Sequence, residues 1–174
     1  MKTQFYEISQ NNSGGSFTVD DKLCHRLFIE AESSDDASSI AEDLGCYWDG
    51  CETGSDCDCC GDRWHRPWSI DGINFDEINT KSNGYEISVW VDKETQTPDE
   101  LISDIKERYS DMTWLVEPKI ENKYGGQRVI GNVKVDNIEQ YAQVMADLYG
   151  WTSPDCRIFY KNGEVKEIFS IKLK

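Results

Sequence analysis

Apolar and polar positions follow regular periods along most of the chain, with one long interruption. Residues 4–9 (QFYEIS) alternate as a strand does, with Phe5 and Ile8 as inward candidates. Residues 23–31 predict a second strand: Leu23, His25, Leu27, Ile29 and Ala31 share one face, and Cys24, Arg26, Phe28 and Glu30 the other. Ala37, Ile40, Ala41 and Leu44 then recur at helical spacing. Ser33 or Ser34 can cap that helix, Asp35 and Asp36 suit its positive end, and Gly45 stops it. Regular pattern resumes with a strand over 85–92. Thr97-Pro98-Asp99-Glu100 is a capping box that opens a helix lined by Leu101, Ile102, Ile105 and Tyr109. Residues 114–120 predict a strand in which Pro118 marks an edge or a bulge. A strand over 128–135 leads to a helix over 137–149 with the stripe Ile138, Tyr141, Ala142, Met145 and Leu148. Asn162-Gly163, between 157–161 and 164–173, is a hairpin signal.

The order strand, Gly-Gly turn, strand, helix occurs twice. Ile29, Ala31, Ala37, Ile40 and Leu44 correspond at constant offset to Val133, Val135, Tyr141, Val144 and Leu148. Internal duplication is one reading; the general likeness of amphipathic α+β units is the other. The expected fold class is α+β: an antiparallel or mixed sheet with about three helices on one face. One domain spans 1–174, with repeat-like halves over about 1–45 and 114–174. A Cys-rich loop over 46–84 is inserted between them. A stretch that long without regular pattern normally has a reason.

Charge narrows the picture. There are 33 acidic and 18 basic residues among 174, a formal net charge of −15. Residues 1–92 hold 19 acidic and 6 basic residues, so the first half carries nearly all the excess. That argues against sequence-independent binding of a nucleic-acid backbone, which needs a basic face. The surplus reads either as a solvated face or as a surface that imitates nucleic acid. No apolar run is long enough to span a membrane, and the N-terminus has no apolar secretion segment, so a cytoplasmic setting is expected.

Five of the seven cysteines fall in the inserted loop. Cys57-x-x-Cys60-Gly61 has the form of a zinc knuckle, in which two thiolates share an ion and glycine lets amides approach sulfur. Cys46, Cys51, Cys59 and His65 compete for the other ligand positions. A structural Zn²⁺ would explain how a polar loop stays ordered. Free reduced cysteines, disulfides and a redox thiol are the alternatives. A zinc deaminase is excluded, because no H-x-E precedes a P-C-x-x-C.

Arg63-Trp64-His65-Arg66-Pro67-Trp68 is the one dense basic–aromatic patch in the acidic half. Arg63 and Arg66 could fork a phosphate or carboxylate, and Trp64 and Trp68 could stack a base. The structural alternative has the tryptophans covering the core and the arginines pairing with Asp58 and Asp62. The loop Asn11, Asn12, Ser13, Gly14, Gly15, Ser16 could offer amides to an anion or be an ordinary turn. The turn over 122–128, with Tyr124 and Arg128, divides the same way. GxSxG, a Walker loop, HExxH and GxGxxG are all absent, and His25 lies on an apolar strand face, so enzyme activity is not expected.

The stretches QNNSGGSF (10–17), Cys24-His25-Arg26, Gly45-Cys46-Tyr47-Trp48 and CxCCGDRW (57–64) together make the first 70 or so residues resemble a group of small tailed-bacteriophage proteins. The resemblance implies an accessory phage product acting in the bacterial host cytoplasm, in host takeover or counter-defence. Two function classes follow. One is a non-enzymatic binder, a sponge for a small anionic, nucleotide-derived immune signal. The other is an acidic protein–protein inhibitor of a host defence protein. A zinc-dependent enzyme is a third, which would need an open metal position. A homo-oligomer is compatible with each.

Overall fold

In chain order the elements are β1 (Gln4–Ser9), β2 (Arg26–Ala31), α1 (Ser34–Leu44), α2 (Gly50–Thr53), β3 (Trp68–Ser69), β4 (Tyr85–Trp90), α3 (Pro98–Arg108), β5 (Thr113–Lys123), β6 (Gly126–Lys134), α4 (Ile138–Tyr149), β7 (Cys156–Phe159) and β8 (Val165–Ile168). They come from a computed structural model that describes residues 2–11, 15–70, 75, 83–149 and 154–170. The chain divides into two compact units, Met1–Ile73 with Met145–Ser170, and Asn74–Val144 with Ile171–Lys174. The expected α+β class and mixed sheet are present, with the strands distributed over two sheets. Among the described residues no helix is long and apolar enough to cross a membrane.

The first unit holds a five-stranded sheet in the order β3-β1-β2-β7-β8. β1 and β2 pair antiparallel from Gln4 opposite Ala31 to Ser9 opposite Arg26. Tyr6, Ile8, Leu27 and Ile29 enter the core on one face. Phe5 does not: it stands three positions from Ile8, hence on the opposite face, where its ring meets Tyr160 edge-on at 5.6 Å. Cys24 is also a core residue, because β2 begins only at Arg26 and the alternation does not reach back to it. β2 then pairs parallel with β7, and β7 antiparallel with β8. Phe28 and Ile158, opposite each other on the second face, are fully buried.

α1 forms as its stripe predicts. Ser33 Oγ accepts from Asp36 N at 3.1 Å, and Gly45 takes the left-handed conformation at φ 113°. Ala37 and Ala41 are buried, with Ile40 and Leu44 packed at the margin of the same core. Two buried polar groups fasten the long β1–β2 connection. Gln10 Nε2 donates to the carbonyls of Thr18 and Cys24, while its Oε1 accepts from Thr18 N. His25 Nδ1 lies 3.2 Å from Asp155 Oδ1, and its ring packs against Phe17. Burial holds the His25 pKa below the ordinary imidazole value, against the pull of Asp155.

The second unit holds the antiparallel sheet β4-β6-β5, with α3 against β5 and β6. Thr97 and Glu100 close the capping box in both directions. β5 is an edge strand whose register shifts twice between Trp114 and Lys119, around Pro118. α4 is capped by Asn137, whose Oδ1 accepts from Gln140 N. Of its predicted stripe, Leu148 is exposed. β5 and β6 turn through Tyr124 (φ 50°) and Gly125 (φ 77°), two consecutive left-handed residues, the combination a type I′ hairpin needs. Tyrosine is poorly suited to that position and asparagine well suited. Tyr124→Asn is therefore expected to raise unfolding free energy by about 1 kcal/mol in urea titration; a loss of stability would contradict the turn assignment.

Candidate functional site

The inserted loop is ordered by its own carboxylates. The Gly50 carbonyl accepts from Ser55 N and Asp56 N at 2.7 and 2.9 Å. Asp56 accepts from Tyr47 OH and from Arg63 N, each at 2.8 Å. Asp62 Oδ1 accepts from Cys51 N at 2.8 Å. A Cβ on Gly50 would lie 1.9 Å from Asp56 Oδ2, so only glycine fits beneath that carboxylate. Part of the acidic run is thus internal fastening rather than a solvated face.

The same folding gathers three sulfurs. The amides of Cys60 and Gly61 both donate to the Cys57 carbonyl, at 2.9 and 3.0 Å, with Gly61 at φ 81°. This turn brings the Sγ atoms of Cys57, Cys59 and Cys60 within 4.8 Å of one another, and the last two within 3.4 Å. All seven cysteines are free. Thiolates on one tetrahedral zinc at about 2.3 Å stand about 3.8 Å apart, so this set could hold a metal ion. The Cys57 thiol is held below its ordinary pKa, first by the Cys59 thiol and then by amide donors from the same turn. The Cys59 thiol is pushed up to about 11 by the Cys57 and Cys60 thiols. Cys51 is also pushed up to about 11, by lost hydration and then by Asp62. A bound divalent cation would relieve this accumulation of thiols and carboxylates.

Three of the expected ligands, Cys46, His65 and Cys51, lie outside this trio. Cys46 lies in the hydrophobic core, 5% exposed, its thiol pushed up to about 12 by burial. His65 lines a different cleft, described below. Cys59 joins the cluster, and the Cys51 thiol reaches the Cys57 carbonyl at 3.6 Å without joining the three.

The basic–aromatic hexamer anneals to the free edge of β1. Asn11 N donates to Arg63 O at 2.7 Å, Gln10 bridges Trp64, His65 N donates to Ser9 O at 3.0 Å, and β3 pairs with Glu7 and Tyr6. Trp64 is thereby turned into the core at 3% exposure and offers no stacking face, a correction to its expected ligand role. Trp68 is 63% exposed. Arg63 Nη1 donates to Ser16 O at 2.7 Å, so this arginine is tied to the backbone at Ser16. Arg66 pairs with Asp49 at 2.5 Å and lies over the Trp48 ring, not with Asp58 or Asp62.

Two clefts result. A cleft of about 170 Å³ is lined by Asn11, Gly15, Asp56, Cys57, Cys60 and Arg63, among others, so two separately expected sites meet there. Asn11 Nδ2 also donates to Cys60 O at 2.7 Å. Asn12, Ser13 and Gly14 lie outside the described residues. A cleft of about 360 Å³ is lined by Glu7, Ser9, His65, Arg66 and Trp68. Glu7 and Ser9 carried no signal as binding residues; only the placement of a carboxylate between Tyr6 and Ile8 in a strand could have marked one of them. Tyr124 and Arg128 belong to the second unit. Tyr124 is 88% exposed at its turn, and Arg128 is engaged by Glu121 and by Ser88 Oγ at 3.1 Å.

A family model described as "Domain of unknown function (DUF7296)" matches residues 3–117. No curated protein and no solved structure matches the chain. The matched span contains the whole sulfur loop and both clefts.

Asp56→Ala removes two hydrogen bonds and is expected to destabilise the first unit by about 1–3 kcal/mol, with faster hydrogen exchange at the Arg63 amide; unchanged exchange would contradict the fastening role. The Asp62 carboxyl is held below its ordinary value of 3.8, first by the Cys51 amide. Its stabilising contribution is therefore complete above that value and disappears as pH falls through the lower, folded one. Exchange protection of the Cys51 amide should persist at pH 5 and vanish only below pH 3.8.

Proposed function

The chain belongs to the DUF7296 family over residues 3–117, and from its own residues we propose that it is a non-enzymatic binding protein with a zinc-held loop. Cys57, Cys59 and Cys60 supply three thiolates to a structural Zn²⁺, and Cys51 is the next thiol along the loop for a fourth position. The ion fixes the segment that carries Arg63 and the annealed hexamer. The ligand is small, anionic and nucleotide-like. In a phage accessory protein acting inside a host bacterium, such binding would sequester a nucleotide-derived immune signal.

The observation that carries this reading is the meeting of Arg63, Asn11, Gly15 and the cysteine turn at one cleft. At about 170 Å³ that cleft is smaller than sites for whole ligands, which run to roughly 300–1,000 Å³. It suits a phosphate-sized part of a larger molecule. Backbone amides beside a guanidinium form an anion site that does not need a basic protein, which reconciles local anion binding with a net charge of −15.

Elemental analysis should find about one zinc per chain in the wild type and a large loss in Cys57→Ser and Cys60→Ser. Cyclic nucleotides or ADP-ribose derivatives should raise the wild-type Tm, and Arg63→Ala should abolish the rise. Metal-free wild type, with no shift across that panel, would overturn the reading. Salt-sensitive capture of a basic host protein in its place would favour the acidic inhibitor.

A further inference from the structure

The last part of β5, Glu117-Pro118-Lys119-Ile120-Glu121-Asn122-Lys123, alternates opposite charges at every second residue. β5 is an edge of the sheet β4-β6-β5, and among the described residues no strand pairs with its outer side. Its register with β6 shifts only before Lys119, so pairing from Lys119 to Lys123 is regular. Lys123 and Gly126 flank the two-residue turn, and the pair that closes such a turn exchanges main-chain hydrogen bonds. Lys119, Glu121 and Lys123 therefore bond to β6, while Ile120 and Asn122 turn their N–H and C=O groups outward. Pro118 falls next in that outward series, where a missing N–H costs no bond to β6.

An open edge is ordinarily guarded by lysines or a bulge. Here the irregularities stop at Lys119, and each lysine alternates with a glutamate. Leu115, Val116, Ile120 and Tyr124 are exposed along the same edge. The surroundings are also nearly neutral: residues 93–174 hold 14 acidic and 12 basic residues. Two copies can therefore approach here despite a net charge of −15 each.

We infer that the β5 edge is the interface of a two-fold dimer of this chain, in which two three-stranded sheets join edge to edge. Antiparallel pairing about Ile120 sets Lys119 opposite Glu121 of the second copy and Lys123 opposite Glu117, each twice by symmetry. Sliding the copies by two residues one way sets Lys119 against Lys123 and Glu121 against itself. Sliding them the other way sets Glu117 against Glu121 and Lys119 against itself. The register about Ile120 is the one that matches all four charges. In it the Ile120 N–H of each copy donates to the Ile120 carbonyl of the other, and the Asn122 N–H donates to the Pro118 carbonyl. Tyr124 of one copy comes alongside Leu115 and Val116 of the other. Glu117 and Glu121 already pair with Lys106 and Arg128 of their own chain, so each second-copy lysine joins a shared carboxylate. The edge is short, and the dimer is a weak, reversible one.

Sedimentation equilibrium of the full chain, with amide hydrogen exchange at low and high protein concentration, tests this. Dimers should form in the micromolar range. The Ile120 and Asn122 amides should gain protection as concentration rises, while the Lys119 and Glu121 amides stay protected throughout. Lys119→Glu should weaken the dimer at least about tenfold, because two attractive pairs become repulsive. Lys119→Glu/Lys123→Glu and Glu117→Lys/Glu121→Lys should each self-associate poorly, yet pair with one another when mixed. Both of those chains remain strongly acidic, so long-range attraction would not explain that pairing. A monomer at every concentration overturns the inference. So does a dimer whose Ile120 amide exchanges independently of concentration and which is indifferent to Lys119→Glu. The exchange measurement uses the wild type, so it decides even where a variant does not fold.

Discussion

Everything at the site depends on one edge: the backbone of residues 63–69 bonded to the outer side of β1. Each contact is an ordinary main-chain hydrogen bond, as from His65 N to Ser9 O at 3.0 Å and from Asn11 N to Arg63 O at 2.7 Å. Their combined effect is directional. Because strand side chains alternate, the annealed segment must send Trp64 inward with Gln10 and keep Arg63 and His65 on the outer face. The buried indole holds the segment in register, since a slip of one residue would expose it and bury charge. It also covers an edge that would otherwise invite pairing with another chain.

That constraint gives the acidity a structural meaning. Asp56 bonds the Arg63 amide and Asp62 bonds the Cys51 amide, so these carboxylates tie the cysteine loop to the annealed segment. Thiols and carboxylates gather in the loop: lost hydration and then Asp62 raise the Cys51 thiol, the Cys57 and Cys60 thiols raise Cys59, and the sulfurs of Cys57, Cys59 and Cys60 could hold a metal ion. On the proposed reading a cation held by Cys57, Cys59 and Cys60 would stabilise the loop that carries Arg63 and the annealed segment.

Much of the fold was legible because its signals are local. The stripe and caps of α1, the Thr97–Glu100 box, the irregular edge at Pro118 and the Asn162-Gly163 hairpin each lie within about ten residues. The parallel pairing of β2 with β7 joins residues far apart in sequence, and no local pattern announces it. The site was legible in outline only. Composition pointed to the cysteine loop and to Arg63 and Trp68, but Trp64 and Trp68 look alike in sequence and only the register of the annealed segment separates them. Cys46 looked like a ligand because it stands near the others in the chain; it follows the helix-ending Gly45, which turns it into the core. Glu7 was one carboxylate among 33 until burial distinguished it.

Native mass spectrometry of the purified full chain tests the central claim most directly, because it weighs metal and ligand on the same molecule. The account predicts the mass of the polypeptide plus one zinc, with a further increment on adding a cyclic nucleotide or an ADP-ribose derivative. Arg63→Ala should lose the nucleotide increment and keep the zinc, whereas Cys57→Ser should lose the zinc. A bare polypeptide mass in the presence of both zinc and those ligands would contradict it.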